Sequence, residues 1–240
     1  MTRSRSVEAE PTRSRLVAVI ASLPDLAHAL RLRCVPDFFE LRLDALYHSL
    51  GSIEEALPAL AAPLIITARH PREGGWNALA PAQRRQLLLK FLRHAALIDV
   101  ELRSRLELRA VLEAAKARHV LRIISVHDLT KTPSVRRLQQ LARGAEAAGA
   151  DIIKIVTRTD RAEELARLLK FFEMNKGSRP LSAAGIGQLG RASRRELARR
   201  GSVLNYAYLG TAASDGQLSI GELRRTQLHP EKTCRESLSS

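Results

Sequence analysis

Ala150-Asp151-Ile152-Ile153-Lys154-Ile155-Val156 reads as a strand buried on both faces, with a single lysine set into an apolar run. An ammonium at such a position must be paired, or its pKa must fall until it is neutral at working pH. A neutral lysine is a nucleophile toward carbonyls. A lysine near a strand end can also snorkel along its stem to solvent, so the run alone leaves both readings open. Upstream, Ile123-Ile124-Ser125-Val126-His127-Asp128 is a second strand-like run that ends in a histidine. Adjacent strands would deliver an amine and an imidazole to one end of a sheet. That predicts a Schiff-base site with its own acid and base.

Along the rest of the chain, strand-like and helix-like segments alternate. Strands are expected at 16–21, 38–44, 64–69, 97–102, 120–126, 152–156, 181–186 and 202–209. Between them, Pro24 opens a helix toward Arg33, and Ser52 with Glu55 forms a capping box. Further helices are expected from Pro81, from Pro133, over 161–172 and from Ser219. Eight β/α units predict an α/β fold, a (β/α)8 TIM barrel in a single domain. A doubly wound open sheet could use the same alternation. The barrel is preferred because Glu40, Arg42, Arg69, Glu101, His127 and Lys154 stand near the C-terminal ends of different strands, whereas an open sheet gathers such residues at one switch point. No glycine-rich phosphate loop follows the first strand. The barrel is expected over 16–228, between a polar extension at 1–15 and a polar tail at 229–240.

The 240 residues are 45% hydrophobic and 27% charged, a soluble globular composition. No apolar stretch reaches the ~18 residues that cross a membrane. The arginine- and serine-rich start lacks the apolar core of a signal peptide, and Glu8 and Glu10 argue against a transit peptide. Cys34 and Cys234 show neither metal spacing nor a disulfide framework. No metal site and a cytoplasmic location are therefore expected. The net charge of +14 invites a nucleic-acid reading. Yet pairs such as Arg84-Arg85, Arg136-Arg137 and Arg199-Arg200 are scattered over helical segments. Aromatics make up only 4% of residues, too few for base stacking. A nucleic-acid partner is not expected, and an anionic substrate accounts for the charge equally well.

Several segments, in order, resemble the type I 3-dehydroquinate dehydratase family. Glu40-Leu41-Arg42-Leu43-Asp44 resembles its E-x-R-x-D strand. Thr67-Ala68-Arg69 with Glu73-Gly74-Gly75 resembles T-x-R and E-G-G, and Asp99-Val100-Glu101 matches D-x-E. Ser125-Val126-His127-Asp128 with Lys131-Thr132-Pro133 resembles S-x-H-D-F-x-K-T-P. Gly149 to Ile155 resembles the lysine strand, Ser193-Arg194 with Gly201-Ser202 resembles S-R-x(6)-G-S, and Asp215-Gly216-Gln217 sits where S-A-P-G-Q ends. The resemblance implies a shikimate-pathway lyase, serving aromatic amino-acid biosynthesis, that dehydrates 3-dehydroquinate to 3-dehydroshikimate. Lys154 would form a covalent imine, so no cofactor is implied, and His127 would act as base and then acid. Glu73 would orient His127. Arg194 would hold the substrate carboxylate. Glu40, Arg42 and Arg69 would surround the ring hydroxyls and the lysine, with Gln217 on a closing segment. The resemblance also implies a homodimer. Ser22 matches a substrate-facing serine, or it belongs to a helix N-cap.

The departures carry an expectation of their own. Ala213 stands where the family has a lid serine, Ser214 follows it, and Asp215 replaces a proline. A negative charge and a lost hydroxyl there predict a raised KM with the chemistry intact. Two other readings remain: another class I Schiff-base enzyme such as an aldolase, and a degenerate barrel kept for binding, RNA included.

Overall fold

The structure, a computed structural model, describes residues 14–177, 179–212 and 215–226. The tail expected at 229–240, most of the head, and Ala213 and Ser214 lie outside the described residues. In chain order the elements are β1 (Arg15–Ile20), α1 (Leu23–Leu30), β2 (Phe38–Arg42), α2 (Leu50–Ala56), β3 (Leu64–Thr67), α3 (Pro81–Phe91), β4 (Ala95–Glu101), α4 (Arg109–Ala117), β5 (Leu121–Asp128), α5 (Val135–Ala147), β6 (Ile152–Arg158), α6 (Ala162–Asn175), β7 (Leu181–Ile186), α7 (Gly190–Arg199), β8 (Leu204–Tyr208), β9 (Leu218–Ser219) and α8 (Ile220–Thr226). All sheet pairings are parallel, in the order β7-β6-β5-β4-β3-β2-β1-β8-β9. This is the expected α/β barrel.

The eight expected strands are present with ends moved by up to two residues. β9 is an addition the alternation did not suggest. The barrel closes between β7 and β8 largely through serine side chains. Ser182 Oγ donates to Leu204 O at 2.7 Å, and Ala183 N donates to Ser202 Oγ at 3.1 Å. Val203 N donates directly to Leu181 O at 3.1 Å. Above this seam β9 pairs with β8, Leu218 opposite Ala207.

Three helix starts differ from expectation, and at two of them the serine just before the helix caps it with its hydroxyl. α2 starts at Leu50 after Ser49, so Ser52 lies inside it. α5 starts after Ser134, whose hydroxyl accepts from Arg137 N at 3.3 Å, and Pro133 stands outside. Ser219 ends β9, and its hydroxyl accepts from Glu222 N while Glu222 Oε2 accepts from Ser219 N.

Two apolar layers result. One joins strands to helices and includes Leu88, Phe91, Phe171 and Phe172, each buried. The other fills the barrel interior with Val17, Val19, Phe38, Ile65, Leu97, Ile123, Leu204 and Tyr206. Burying each such side chain contributes roughly 1.5–3 kcal/mol.

The cysteine expectation needs correcting. Cys34 is disulfide-bonded, and the chain's other cysteine, Cys234, lies outside the described residues. The fold lays α8 against β1 and β8, and the Arg224 guanidinium donates to Cys34 O. The C-terminal end of the described chain therefore runs beside Cys34.

Candidate active site

Strand side chains alternate between faces, so the strands lift a polar layer above the apolar floor. Glu40 and Arg42 rise on β2, Asp99 and Glu101 on β4, Ser125 and His127 on β5, and Lys154 and Val156 on β6. Thr67 ends β3, and Arg69 follows it. Lys154 lies in register with Ser125 and is 5% exposed, so it does not snorkel. Its Nζ donates to Asp99 Oδ2 at 2.9 Å, stands 3.8 Å from Glu40 Oε1, and lies 3.8 Å from the centre of the Tyr206 ring. Burial lowers the Lys154 pKa. Asp99 and Glu40 oppose it, Arg69 adds to it, and the result lies below the ordinary lysine value. Of Arg42 and Arg69, it is Arg69 whose charge acts on the lysine most strongly. Arg42 turns away to Asp44, with contacts of 3.0 and 2.8 Å.

Asp99 and Glu101 organise the layer. Asp99 accepts from Arg69 Nη1 (2.9 Å) and Nη2 (2.7 Å), from Ser125 Oγ (2.6 Å) and from Lys154. Burial pushes its pKa up, but the charges of Arg69 and Lys154 outweigh that and hold it well below the usual range. Glu101 accepts from Arg69 Nη1 at 3.0 Å and from His70 N at 2.9 Å, and it pairs with Arg84. Arg84 is 1% exposed and also donates to Ala68 O and Ser104 Oγ. Buried carboxylates and cations thus alternate from α3 to Lys154, each hydrogen-bonded, as buried charges require.

His127 is fixed by Glu73. Glu73 Oε2 accepts the His127 backbone N–H at 2.8 Å and lies 3.0 Å from Nδ1. A carboxylate there makes Nδ1 the protonated nitrogen, which leaves the Nε2 lone pair free; the tautomer is assigned from these bonds. Burial, Arg69 and Lys154 hold the imidazole pKa well below its ordinary value, so the ring is neutral. Burial and the Glu101 charge raise Glu73 to about 7.

A tight turn explains why Glu73 reaches so far. Gly74 has φ 84°, and a Cβ on Gly75 would meet Arg69 O at 2.2 Å. Asp44 clamps the turn by accepting from Arg69 N and Trp76 N, and Arg42 Nη2 donates to Gly74 O at 3.0 Å. The E-x-R-x-D stretch therefore sends Glu40 to the lysine and spends Arg42 and Asp44 on the loop that carries Glu73.

Arg194 enters from the other side. Ser193 docks α7 by donating to Gly190 O and accepting from Gly185 N. Arg194 Nε then donates to Gly185 O at 3.1 Å, and Nη1 to Tyr206 O at 3.4 Å. Arg194 is 9% exposed and has no carboxylate partner among the described residues. Burial alone lowers its pKa to about 10.

Glu40, Arg42, Arg69, Glu73, His127, Lys154, Tyr206, Arg194 and Gln217 line one cavity of about 120 Å3. It adjoins a groove of about 760 Å3 that shares Glu73 and His127. Ser22 is not among the lining residues. Its hydroxyl caps α1, accepting from Asp25 N and donating to Asp25 Oδ2, so the helix-cap reading of Ser22 is the one its contacts fit. Asp215 also lies off the cavity. It is exposed, its carbonyl accepts from Gly187 N, and its charge acts on Arg158. Among the described residues no group of three or more His, Cys, Asp or Glu could hold a metal ion.

A buried amine, a neutral imidazole with an orienting carboxylate, and a counter-ion-free arginine share one barrel mouth. Comparison with known proteins gives the family. A family model described as Type I 3-dehydroquinase matches residues 19–229. The chain belongs to the type I 3-dehydroquinase family. It is 34% identical to the 3-dehydroquinate dehydratase of Pyrococcus abyssi over 191 residues, covering 78% of this chain and 85% of that one. It is 33% identical to that of Desulfotalea psychrophila over 219 residues, covering 88% and 96%. The solved 3-dehydroquinate dehydratase of Enterococcus faecalis superimposes with a TM-score of 0.76 at 26% identity, covering 90% of this chain and 93% of that one. The type I enzyme of Clostridium difficile, solved with covalently modified comenic acid, reaches a TM-score of 0.80 at 24% identity, covering 90% and 92%.

Within this family pattern, reading by motif missed five residues that the geometry brings forward. Asp99 and Glu101 stand in the D-x-E stretch without an assigned part, and Asp44 closes E-x-R-x-D in the same way. Arg84 reads as one more helix arginine, and Tyr206 as part of a strand. Counting every second residue back from the strand ends would have put Asp99 in the layer of Lys154. Nothing in the sequence marks Arg84.

Proposed function

We propose that the protein dehydrates 3-dehydroquinate to 3-dehydroshikimate through an imine on Lys154. What carries the reading is the pairing, in one cavity, of a buried lysine with a depressed pKa and a buried arginine that lacks a carboxylate. The first matches a ketone and the second a carboxylate, and the substrate carries both.

The neutral Nζ attacks the ketone carbon, and water leaves as the iminium forms. The iminium draws electrons and acidifies the adjacent carbon. His127 Nε2 takes that proton, while Glu73 steadies the charge that arrives on the ring. The electrons return from the enamine and expel the β-hydroxyl, which takes the proton from His127 and departs as water. Hydrolysis of the conjugated iminium restores Lys154 and frees the enone. The balance is the loss of one water, and the sequence of steps calls on no cofactor. Asp99, itself held by Arg69, keeps the amine in place. Arg194 binds the carboxylate in a charge-assisted geometry, and Gln217 meets the substrate from the closing segment.

The same proposal includes one catalytic domain over 16–228 with polar extensions, read from the alternation of strands and helices, a cytoplasmic site of action, and a homodimer, drawn from the family resemblance. No helix among the described residues is long and apolar enough to cross a membrane.

The test is ultraviolet detection of the enone from 3-dehydroquinate, with Lys154→Ala beside the native protein and borohydride added to trap the imine. Turnover and a trapped adduct in the native protein only are expected. No turnover by folded native protein would overturn the reading and leave a binding role in front.

A further inference from the structure

Tyr206 sits between the two groups that define the substrate's length. Its ring lies under Lys154, with Nζ 3.8 Å from the ring centre, and its backbone carbonyl accepts from Arg194. A molecule reaching from the amine to the guanidinium passes over this residue. Tyr206 is 8% exposed, and its hydroxyl is buried without a hydrogen-bond partner among the described residues. A buried hydroxyl left unpaired costs stability, and phenylalanine would fill the same space without that cost. Burial and the Glu40 and Asp99 charges keep the phenol protonated, so it offers a donor.

We propose that Tyr206 is a working residue of this site, its ring face stabilising the positive charge at Lys154 Nζ and its hydroxyl donating to an oxygen of the bound substrate. This rests on the imine reading above. The charge is an ammonium in the free protein and an iminium once the ketone has condensed. A cation 3.8 Å above an aromatic face, away from water, is held by the ring quadrupole. One face therefore serves both charged states, and Asp99 faces the amine as well.

Two variants separate the two parts. Tyr206→Phe keeps the ring and removes the hydroxyl. KM should rise about threefold to tenfold, while Tm stays level or rises, because a group unpaired in the free protein has gone. A packing role would instead lower Tm and leave KM in place. Tyr206→Leu removes the ring. The Lys154 pKa, read without substrate from the pH dependence of reductive methylation at that lysine, should fall by roughly half a unit to one and a half units. Borohydride trapping of the imine should fall with it. An unchanged KM in Tyr206→Phe overturns the hydroxyl's part, and an unchanged or raised Lys154 pKa in folded Tyr206→Leu overturns the ring's part. A native protein that traps no adduct overturns the imine reading instead, and the substrate-free titration tells these failures apart.

Discussion

Replacing Glu73 by glutamine should make this protein more stable and less active at the same pH. Glu73 is 7% exposed, and burial together with Glu101 raises its carboxyl from the ordinary 4.5 to about 7. Between those values the folded state holds a proton that the unfolded state has released. Stability therefore falls as pH rises through that window. At about 1.4 kcal/mol per pH unit, the charge on Glu73 costs roughly 3 kcal/mol once pH exceeds 7. Glutamine has no charge to bury, and its carbonyl can still accept the His127 backbone N–H. Urea unfolding at about pH 5 and about pH 8 should show Glu73→Gln gaining on the native protein by about 2–3 kcal/mol as pH rises. Activity should move the other way. The ionised carboxylate holds Nδ1–H and stabilises the imidazolium, so native kcat/KM should drop as pH falls below about 7. The variant should lose that limb and run about 10- to 100-fold slower at about pH 8, the value of a hydrogen bond to a charged group. A stability difference that stays flat across that pH range would refute the burial argument. An acid limb that persists unchanged in Glu73→Gln would show that Glu73 does not orient His127 in the reaction.

Arg194→Met should raise KM about 10- to 100-fold, with Tm held or raised, because a buried cation without a counter-ion has been removed; initial rates and a melting curve check both. Arg84→Met leaves Glu101 Oε2, Ala68 O and Ser104 Oγ without their donor and should cost about 3–5 kcal/mol in urea unfolding. In Gly216→Ala the new Cβ would lie 2.7 Å from Gly190 Cα, at φ 75°. That should push the segment carrying Gln217 off α7, so KM rises in steady-state assays while borohydride still traps the imine. Asp215→Asn should change KM less than about twofold and raise no salt dependence, since the carboxylate is exposed and off the cavity.

The fold was legible because alternation of buried strands with helices leaves few architectures open, and the order of polar residues along successive strand ends favours closure. What the alternation could not supply was the seam. β9 is two residues long and pairs only because the segment after Gly216 lies in the gap that β7 and β8 leave. In the site, Lys154, His127 and Glu73 were legible as residue types at spaced motifs. Their partners were not, because ion pairing is a property of three-dimensional parity. Asp99 looks no different in sequence from Asp44, yet one faces the amine and the other ties down a loop. Asp215 is the opposite case. A charge read as opposing the substrate by its place in a motif lies exposed, near Arg158.

The lysine alone would support a rival, and the geometry of the site weighs against it. A Schiff-base aldolase also needs a depressed lysine. Its reaction, however, breaks a carbon–carbon bond and places no demand for a second buried cation without a carboxylate. Holding Arg194 in that state is unfavourable for folding, as its lowered pKa records. Such a cost is repaid when an anion arrives, and the anion must belong to a molecule that also reaches Lys154. Those two conditions describe a keto acid held at both ends. With His127 fixed above the same cavity as the available base, they favour proton abstraction next to the imine over cleavage.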